Sequence, residues 1–346
     1  MQKIGVDQNV VAEVERTKWK RTLQTLVKDW RLYVLLIPML LFVILFRYLP
    51  IYGILTGFKW DVDNGALNNQ WSGFTWLIKV FGDVDLAPVF WKAFRNTFVN
   101  SMYGLIFGFP IPIILALCFS EIKINWYRSI LQVCSYLPHF ISAVVITQLI
   151  RLWCTGEIVG EFKGGMLYQV FNAFGWNKID AGGKNTLTLL SNAKFFRPIY
   201  QVSGVWEGAG YGSIVYFAAI LAISPVSYEA ARIDGASKIQ QIRYVTFPGM
   251  APTLSIMLIM RIGQILNIGY EKIILLVEDQ GDAGTWETSD VISTYVYRMS
   301  GRSQIPVEGA NQMIGIVMDL FNSIIAMILV LGANAISRRV SSTSLF

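Results

Sequence analysis

Six long apolar runs decide what this chain can become. They cover approximately residues 32–50, 94–119, 129–150, 197–222, 249–272 and 312–335, each near or above the ~20 residues that cross a bilayer core as a helix. In hydrocarbon every backbone polar group must be bonded within the protein, so runs of this length cross as helices. Composition agrees, with 54% hydrophobic and 15% charged residues, against ~25% charged in a soluble domain. The expectation is an all-α polytopic membrane protein. Six transmembrane helices occupy residues 32–337, between an N-terminal tail, 1–31, and a C-terminal tail, 338–346. The first run follows a polar stretch and ends in "FRYLP" rather than in a small-residue cleavage site, so it reads as a retained anchor.

Lysine and arginine placement sets the orientation. Segments 1–31, 120–128, 223–248 and 336–346 hold 14 Lys or Arg, and the alternate segments 51–93, 151–196 and 273–311 hold 10. The dense cluster Lys18, Lys20, Arg21, Lys28 and Arg31 places the N-terminus in the cytosol, and six crossings bring the C-terminus back to the same side. The formal net charge of +6 is then met by basic inner flanks facing anionic membrane lipid, with no nucleic acid required.

Chemistry within the chain finds little support. Cys118, Cys134 and Cys154 show no CxxC spacing, and His139 has no partners at metal-ligand spacing. The stretch "DAGGKNT", 180–186, fails as a phosphate loop, because Asn185 stands where Ser or Thr is needed and Lys178 where the first glycine belongs. No GxSxG, HExxH or convergent acid pair is present. The reading is a transport subunit without catalytic residues, metal or cofactor of its own.

Between the fourth and fifth runs lies a polar, glycine-punctuated segment, "YEAARIDGASKIQQIRYVTFPGM". Tyr228 to Ile233 are helix-compatible, Gly235 permits a tight bend or close approach, Ser237 can cap a second short helix, and Pro248 suits the first turn of the next span. This helix–bend–helix would project into the cytosol, a shape suited to a groove on another protein.

Here the residues carry a resemblance. Glu229-Ala230-Ala231, three residues, Gly235, nine residues and then "VTFP" is similar to the EAA loop of ABC importer permeases, with Val245 and Phe247 replacing the usual residues before Pro248. "YGILTGFKW", "WKAFRNTFVNS" and "AISRRVSSTSLF" fit as well. The chain resembles the carbohydrate branch of that family, above all the permeases for polysaccharides and complex oligosaccharides. The resemblance implies the type I permease fold and a division of labour. Two permeases, paralogues by family practice, form the pathway; two ATPase subunits bind ATP and Mg; an extracytoplasmic binding protein delivers the oligosaccharide. It also implies that Glu229, Ala230, Ala231, Asp234 and Gly235 couple to an ATPase.

For the pathway, Gly204, Gly208 and Gly212 recur every four residues, a pattern that lets helices approach closely. Glu207 and Tyr211 form an i, i+4 pair beside them. In the fifth run Arg261, Gln264, Asn267 and Glu271 fall within an arc of about 120° on a continuous helix. A charge at mid-bilayer costs roughly 2.5–3.5 kcal/mol on insertion scales, so this stripe should face a partner or a wet cavity. Arg261 and Glu207 come to about 18 Å and 22 Å from the cytosolic ends of their spans, so they could pair. The resemblance to maltose-type permeases places sugar contacts at the positions of Glu207, Gly208, Tyr211, Arg261, Gln264, Ile265 and Ile268. Two rival readings remain. A gradient-driven secondary transporter would show matched interrupted helices in two halves, and no such repeat is seen. A scaffold without a pathway would not need the polar stripe.

Overall fold

The computed structural model describes residues 27–62, 66–154, 165–175, 189–190, 193–277, 286–298 and 311–340. Lys18, Lys20, Arg21 and the stretch 180–186 lie outside them. The first run forms α1, Trp30–Val43, continuing through a π turn, Ile44–Tyr48, and a 3-10 stretch, Leu49–Phe58. A small antiparallel hairpin follows, β1 Lys59–Val62 on β2 Ala66–Trp71, the one addition to an otherwise helical set of described residues.

After α2, Thr75–Gly82, the second crossing is built from α3, Leu86–Gly108, and α4, Pro110–Glu121. Pro110 falls in the first turn of α4, where its missing N–H leaves no bond unmade, so the two helices run on as one span. The third crossing is not the continuous helix expected over 129–150. It is split into α5, Asn125–Tyr136, with a 3-10 turn, Leu137–Phe140, and α6, Ala143–Cys154, bent by 97°. Pro138 supplies no N–H, and Ser142 starts the next helix by accepting the Ile146 N–H through its carbonyl at 3.1 Å.

A short helix α7, Met166–Ala173, precedes α8, Ala193–Leu221. At 29 residues α8 is long enough to cross and protrude, about 43 Å at 1.5 Å per residue. It turns by 69° into α9, Pro225–Ile233. Then come α10, Lys238–Gln241, a π turn, Ile242–Thr246, and α11, Phe247–Gly263. Beyond lie α12 Tyr270–Val277, α13 Trp286–Ser289, α14 Ile292–Tyr297 and the last crossing, α15 Asn311–Val340. Among the described residues four helices are long and apolar enough to cross alone, and counting each of the two bent pairs as one span gives six.

Three apolar clusters hold these elements. Phe196, Ile146, Leu276 and Val291 join α6, α8, α12 and the approach to α14. Phe90, Val80, Ile292 and Met318 join α2, α3, α14 and α15. Ala116, Tyr216 and Met250 join α4, α8 and α11.

A polar knot pins the side of the bundle away from the α9–α10 loop. Asn96 is fully buried and donates to the carbonyls of Glu287 and Asp290 at 2.9 and 3.0 Å. Its Oδ1 accepts from Arg197 Nη2 at 2.9 Å. Thr97 Oγ1 accepts from the Ile292 N–H at 2.9 Å and donates to the Ala93 carbonyl at 2.8 Å. The stretch "FRNTFVNS" thus ties α3 to α8 and to residues 286–298. Burial raises the Asp290 carboxyl above the ordinary carboxylate range, although Arg298 pairs with it and Thr294 donates to it. Burial and that neighbouring carboxylate push the Tyr295 phenol up to about 12.

Candidate functional site

Two regions gather the residues singled out in the sequence. The first is the segment 223–248. Its first helix, α9, ends in a Schellman turn: Ala236 N–H donates to Ala231 O at 2.9 Å and Gly235 N–H to Arg232 O at 3.0 Å. Gly235 has φ +73°, the left-handed conformation that this turn needs and that glycine adopts without a Cβ penalty. Ser237 then caps α10 in a reciprocal box with Gln240, as its place after the bend suggested. Gln241 Nε2 donates back to Ala236 O at 2.9 Å, and the Tyr228 hydroxyl lies 3.1 Å from Thr246 Oγ1.

The loop is therefore internally bonded, yet it leaves apolar side chains uncovered. Ile233 is 86% and Ile239 78% exposed. Glu229, Ala230, Asp234 and Gly235 are exposed with them, and Ala231 is half-buried. Lys238 holds Glu121 at the end of α4 at 2.6 Å.

The second region lies along α8. Arg261, Gln264 and Asn267 line a cavity of about 250 Å³, together with Asn100, Gln201 and Ile268. Arg261 also borders a neighbouring cavity of about 200 Å³ beside Gly204 and Gly208. These three polar residues come together, but not as one helical stripe. The helix α11 ends at Gly263, and a turn follows in which Asn267 N–H donates to Gln264 O at 2.9 Å. The carbonyls freed by this break are satisfied from neighbouring elements: Asn322 donates to Leu266 O at 3.2 Å and Ser293 to Ile268 O at 2.5 Å. Non-helical backbone at membrane depth is tolerated where protein or a polar cavity covers it, and here Asn322 and Ser293 cover it beside the cavity that Gln264 and Asn267 line. Glu271, exposed in the first turn of α12, lies beyond the break and lines neither cavity.

The anticipated Arg261–Glu207 pair does not form. Glu207 is held by Lys272 at 2.8 Å, with side-chain exposures of 27% and 14%. The helix stops at Gly263 and the chain turns over residues 264–266, and Lys272 on α12 reaches α8 instead. Tyr211 stacks on His139 with ring centroids 4.0 Å apart and planes 10° from parallel, against the bend of the third crossing. Lys272, Gln201, Asn96 and Arg197 escaped the sequence reading. Their signal was there in part, since Asn96 and Asn100, and Arg197 and Gln201, are polar pairs at i, i+4 within apolar runs. Among the described residues no group of three or more His, Cys, Asp or Glu comes together.

The Glu207–Lys272 pair gives a direct expectation. Lys272→Met leaves a carboxylate unpaired in the bundle and should cost the assembled protein about 2–3 kcal/mol, somewhat below the range for fully buried pairs. The double change Lys272→Glu, Glu207→Lys should recover most of that, as read by thermal unfolding in detergent. An equal loss in the single and double variants would rule out the pairing.

Bent spans with polar cavities between them, and an internally bonded loop carrying uncovered apolar side chains, are the arrangement of a polytopic helical membrane subunit. Residues 108–341 match the family described as binding-protein-dependent transport system inner membrane component, and the chain belongs to that family. It is 30% identical over 333 residues to the polygalacturonan/rhamnogalacturonan transport system permease protein YteP of Bacillus subtilis (strain 168), covering 96% of this chain and 95% of that protein. It is 31% identical over 322 residues to protein LplB of the same organism, covering 93% and 92%. Among solved structures, a bacterial ABC transporter involved in the import of the acidic polysaccharide alginate is similar at a TM-score of 0.77 and 35% identity, over 92% of this chain and 99% of that one. The bacterial alginate ABC transporter in complex with an alginate pentasaccharide-bound periplasmic protein gives 0.77 and 34%, over 94% and 100%. The chain is an inner membrane component of a binding-protein-dependent transport system of the ABC type, and a transport component rather than an enzyme.

Proposed function

We propose that this chain forms half of the translocation pathway of an ATP-driven oligosaccharide importer. It works with a second permease subunit, two ATP-binding subunits that hold ATP and Mg, and an extracytoplasmic sugar-binding protein. Both termini and the α9–α10 loop face the cytosol. That loop, with Glu229, Ala230, Ala231, Asp234 and Gly235, docks an ATP-binding subunit and carries its movement into α8 and α11, which it joins directly.

One observation carries the reading: Ile233 and Ile239 stand 86% and 78% exposed on a loop whose own hydrogen bonds are closed. With Val226 and Tyr244, 68% and 67% exposed on the same short segment, they gather uncovered apolar surface of the kind that suits a protein interface. On the pathway side Arg261, Gln264 and Asn267 offer a fork of donors and two amides to sugar hydroxyls. Glu207 and Tyr211 support that path through Lys272 and His139, and Glu271, which lines neither cavity, stands beyond the break at the start of α12.

The test is uptake by the full complex in proteoliposomes. Sugar should accumulate only with ATP on the loop side and loaded binding protein on the other. Uptake driven by a proton or sodium gradient, without ATP, would overturn the reading.

A further inference from the structure

The short helix α2, between the first two crossings, lies deeper than a surface connection would. On one side Trp76 and Val80 are buried in a cluster with Phe90, Met313 and Met318. Phe81 reaches further, its ring centroid 5.0 Å from that of Phe90 and 4.9 Å from that of Phe321. Phe321 stands about 12 Å inside the apolar span Met313–Arg339, at 1.5 Å per residue. The end of α2 is therefore level with the far leaflet, the one on the side away from the α9–α10 loop.

The opposite side of α2 is uncovered and apolar. Phe74 and Ile78 are 66% and 67% exposed, and Trp71, just before the helix, is 63% exposed. Phe58 holds both aromatics, stacking on Trp71 at 5.5 Å and meeting Phe74 edge-on at 6.0 Å. At 100° per residue, Leu77 and Phe81 flank Phe74 and Ile78 on one edge, and Thr75 and Lys79 flank them on the other. The Phe81 edge leads to Trp91 of the second crossing, half-exposed and 6.1 Å away. On the other edge Lys79 is exposed, with its ammonium 4.7 Å over the Trp76 ring. The turns at both ends are bonded from within the segment: Thr75 Oγ1 donates to Ser72 O at 2.7 Å, and Asp83 Oδ1 accepts from the Asp85 and Leu86 N–H groups at 2.9 and 3.2 Å. A helix with protein behind it, aromatic and aliphatic side chains ahead and a lysine on one edge has the pattern of one lying in a membrane interface.

We infer that α2 and the Trp71–Phe74 corner are set into the far leaflet, with Trp71, Phe74 and Ile78 on lipid acyl chains and Lys79 among the headgroups. Two observations choose lipid over a protein arriving from the water. The row is level with Phe321, inside the span, and it continues into the exposed side of the second crossing at Trp91. Segment 51–93, read from the sequence as a connection outside the membrane, thus contains an inserted element. Hydropathy does not flag it, because the 8 residues of α2 fall far short of the ~20 that cross.

The experiment uses the assembled transporter in lipid nanodiscs, with its exposed cysteines, Cys118 and Cys134 among them, replaced by serine. A nitroxide is attached at Ile78→Cys and, in a second preparation, at Lys79→Cys. Oxygen, which concentrates in lipid, should relax the label at 78, while a water-soluble nickel chelate should lose access there and keep it at 79. Equal nickel relaxation at both positions puts the face in water and overturns the inference. A label at 78 that is immobilised and shielded from both reagents puts protein there and also overturns it. That protein is the second permease if the shielding is present from the start, and the binding protein if it follows addition of the loaded form. Trp71→Phe keeps the test open if the labelled complexes fail to assemble. Phospholipid brominated on its acyl chains should then quench a smaller fraction of the tryptophan emission in Trp71→Phe than in the unaltered complex. Equal fractional quenching in the two overturns the inference.

Discussion

Gly235→Val should leave an assembled complex whose ATP hydrolysis no longer responds to the loaded binding protein. Gly235 sits at φ +73° with open space around its Cα, so the substituted side chain meets no neighbour; the strain is in the backbone. A left-handed conformation costs an ordinary L-residue about 1–2 kcal/mol, and a β-branched one more. The chain can escape by giving up the turn, which breaks the Ala236–Ala231 and Gly235–Arg232 bonds and moves Ile233 and Ile239 relative to each other. A docking surface built from both sides of that turn is then lost. Stimulation should fall about tenfold or more, since each 1.4 kcal/mol is a factor of ten. Gly235→Asn should retain much of it, because asparagine visits the left-handed region. Glu229→Arg should impair stimulation by charge without touching the turn. Full stimulation in both Gly235→Val and Glu229→Arg would refute the coupling role.

Gly210→Ala is expected to destabilise the bundle by about 3 kcal/mol, the upper end of what overpacking costs, because backbone rather than a side chain stands in the way. A Cβ on Gly210 would lie 1.9 Å from the Ser135 carbonyl oxygen, so α8 and α5 would have to separate. Gly204 and Gly208 meet nothing within 4 Å, and alanine there should leave thermal unfolding unchanged or raise it slightly. Equal melting shifts for Gly210→Ala and Gly204→Ala would disprove the close contact.

This contrast shows how far glycine spacing can be read. The four-residue repeat of Gly204, Gly208 and Gly212 is a pattern that lets helices approach closely. In the structure Gly204 and Gly208 border a cavity, a Cβ on Gly212 would meet Pro112 at ordinary van der Waals distance, and Gly210, which is outside the repeat, makes the tight approach. A periodicity marks a face of small side chains. Whether that face meets a helix or an empty cleft depends on the neighbour, and here α5, which precedes the bend of the third crossing after Phe140, lies on the Gly210 side.

The polar residues after Arg261 teach the same lesson. Arg261, Gln264 and Asn267 do meet at one cavity, as a single helical face required, but they get there through a turn. Gly263 offered a local hint of the break. The break itself is held by Asn322 and Ser293, distant in sequence, and window-by-window hydropathy has no access to such partners.

What the chain's own order of residues determined was everything that depends on local rules. Apolar length gave the crossings, because hydrocarbon admits only self-bonded helices of about 20 residues. The bend and caps of the α9–α10 loop followed from a glycine, a serine and a proline at fixed offsets. What only the tertiary structure decided was which distant groups share a low-dielectric space. There Lys272 rather than Arg261 took Glu207, Tyr211 went to His139, and Arg261 was left facing the cavity. Pairing of charges depends on distance through space, and a break of a few residues after Gly263 was enough to reassign it.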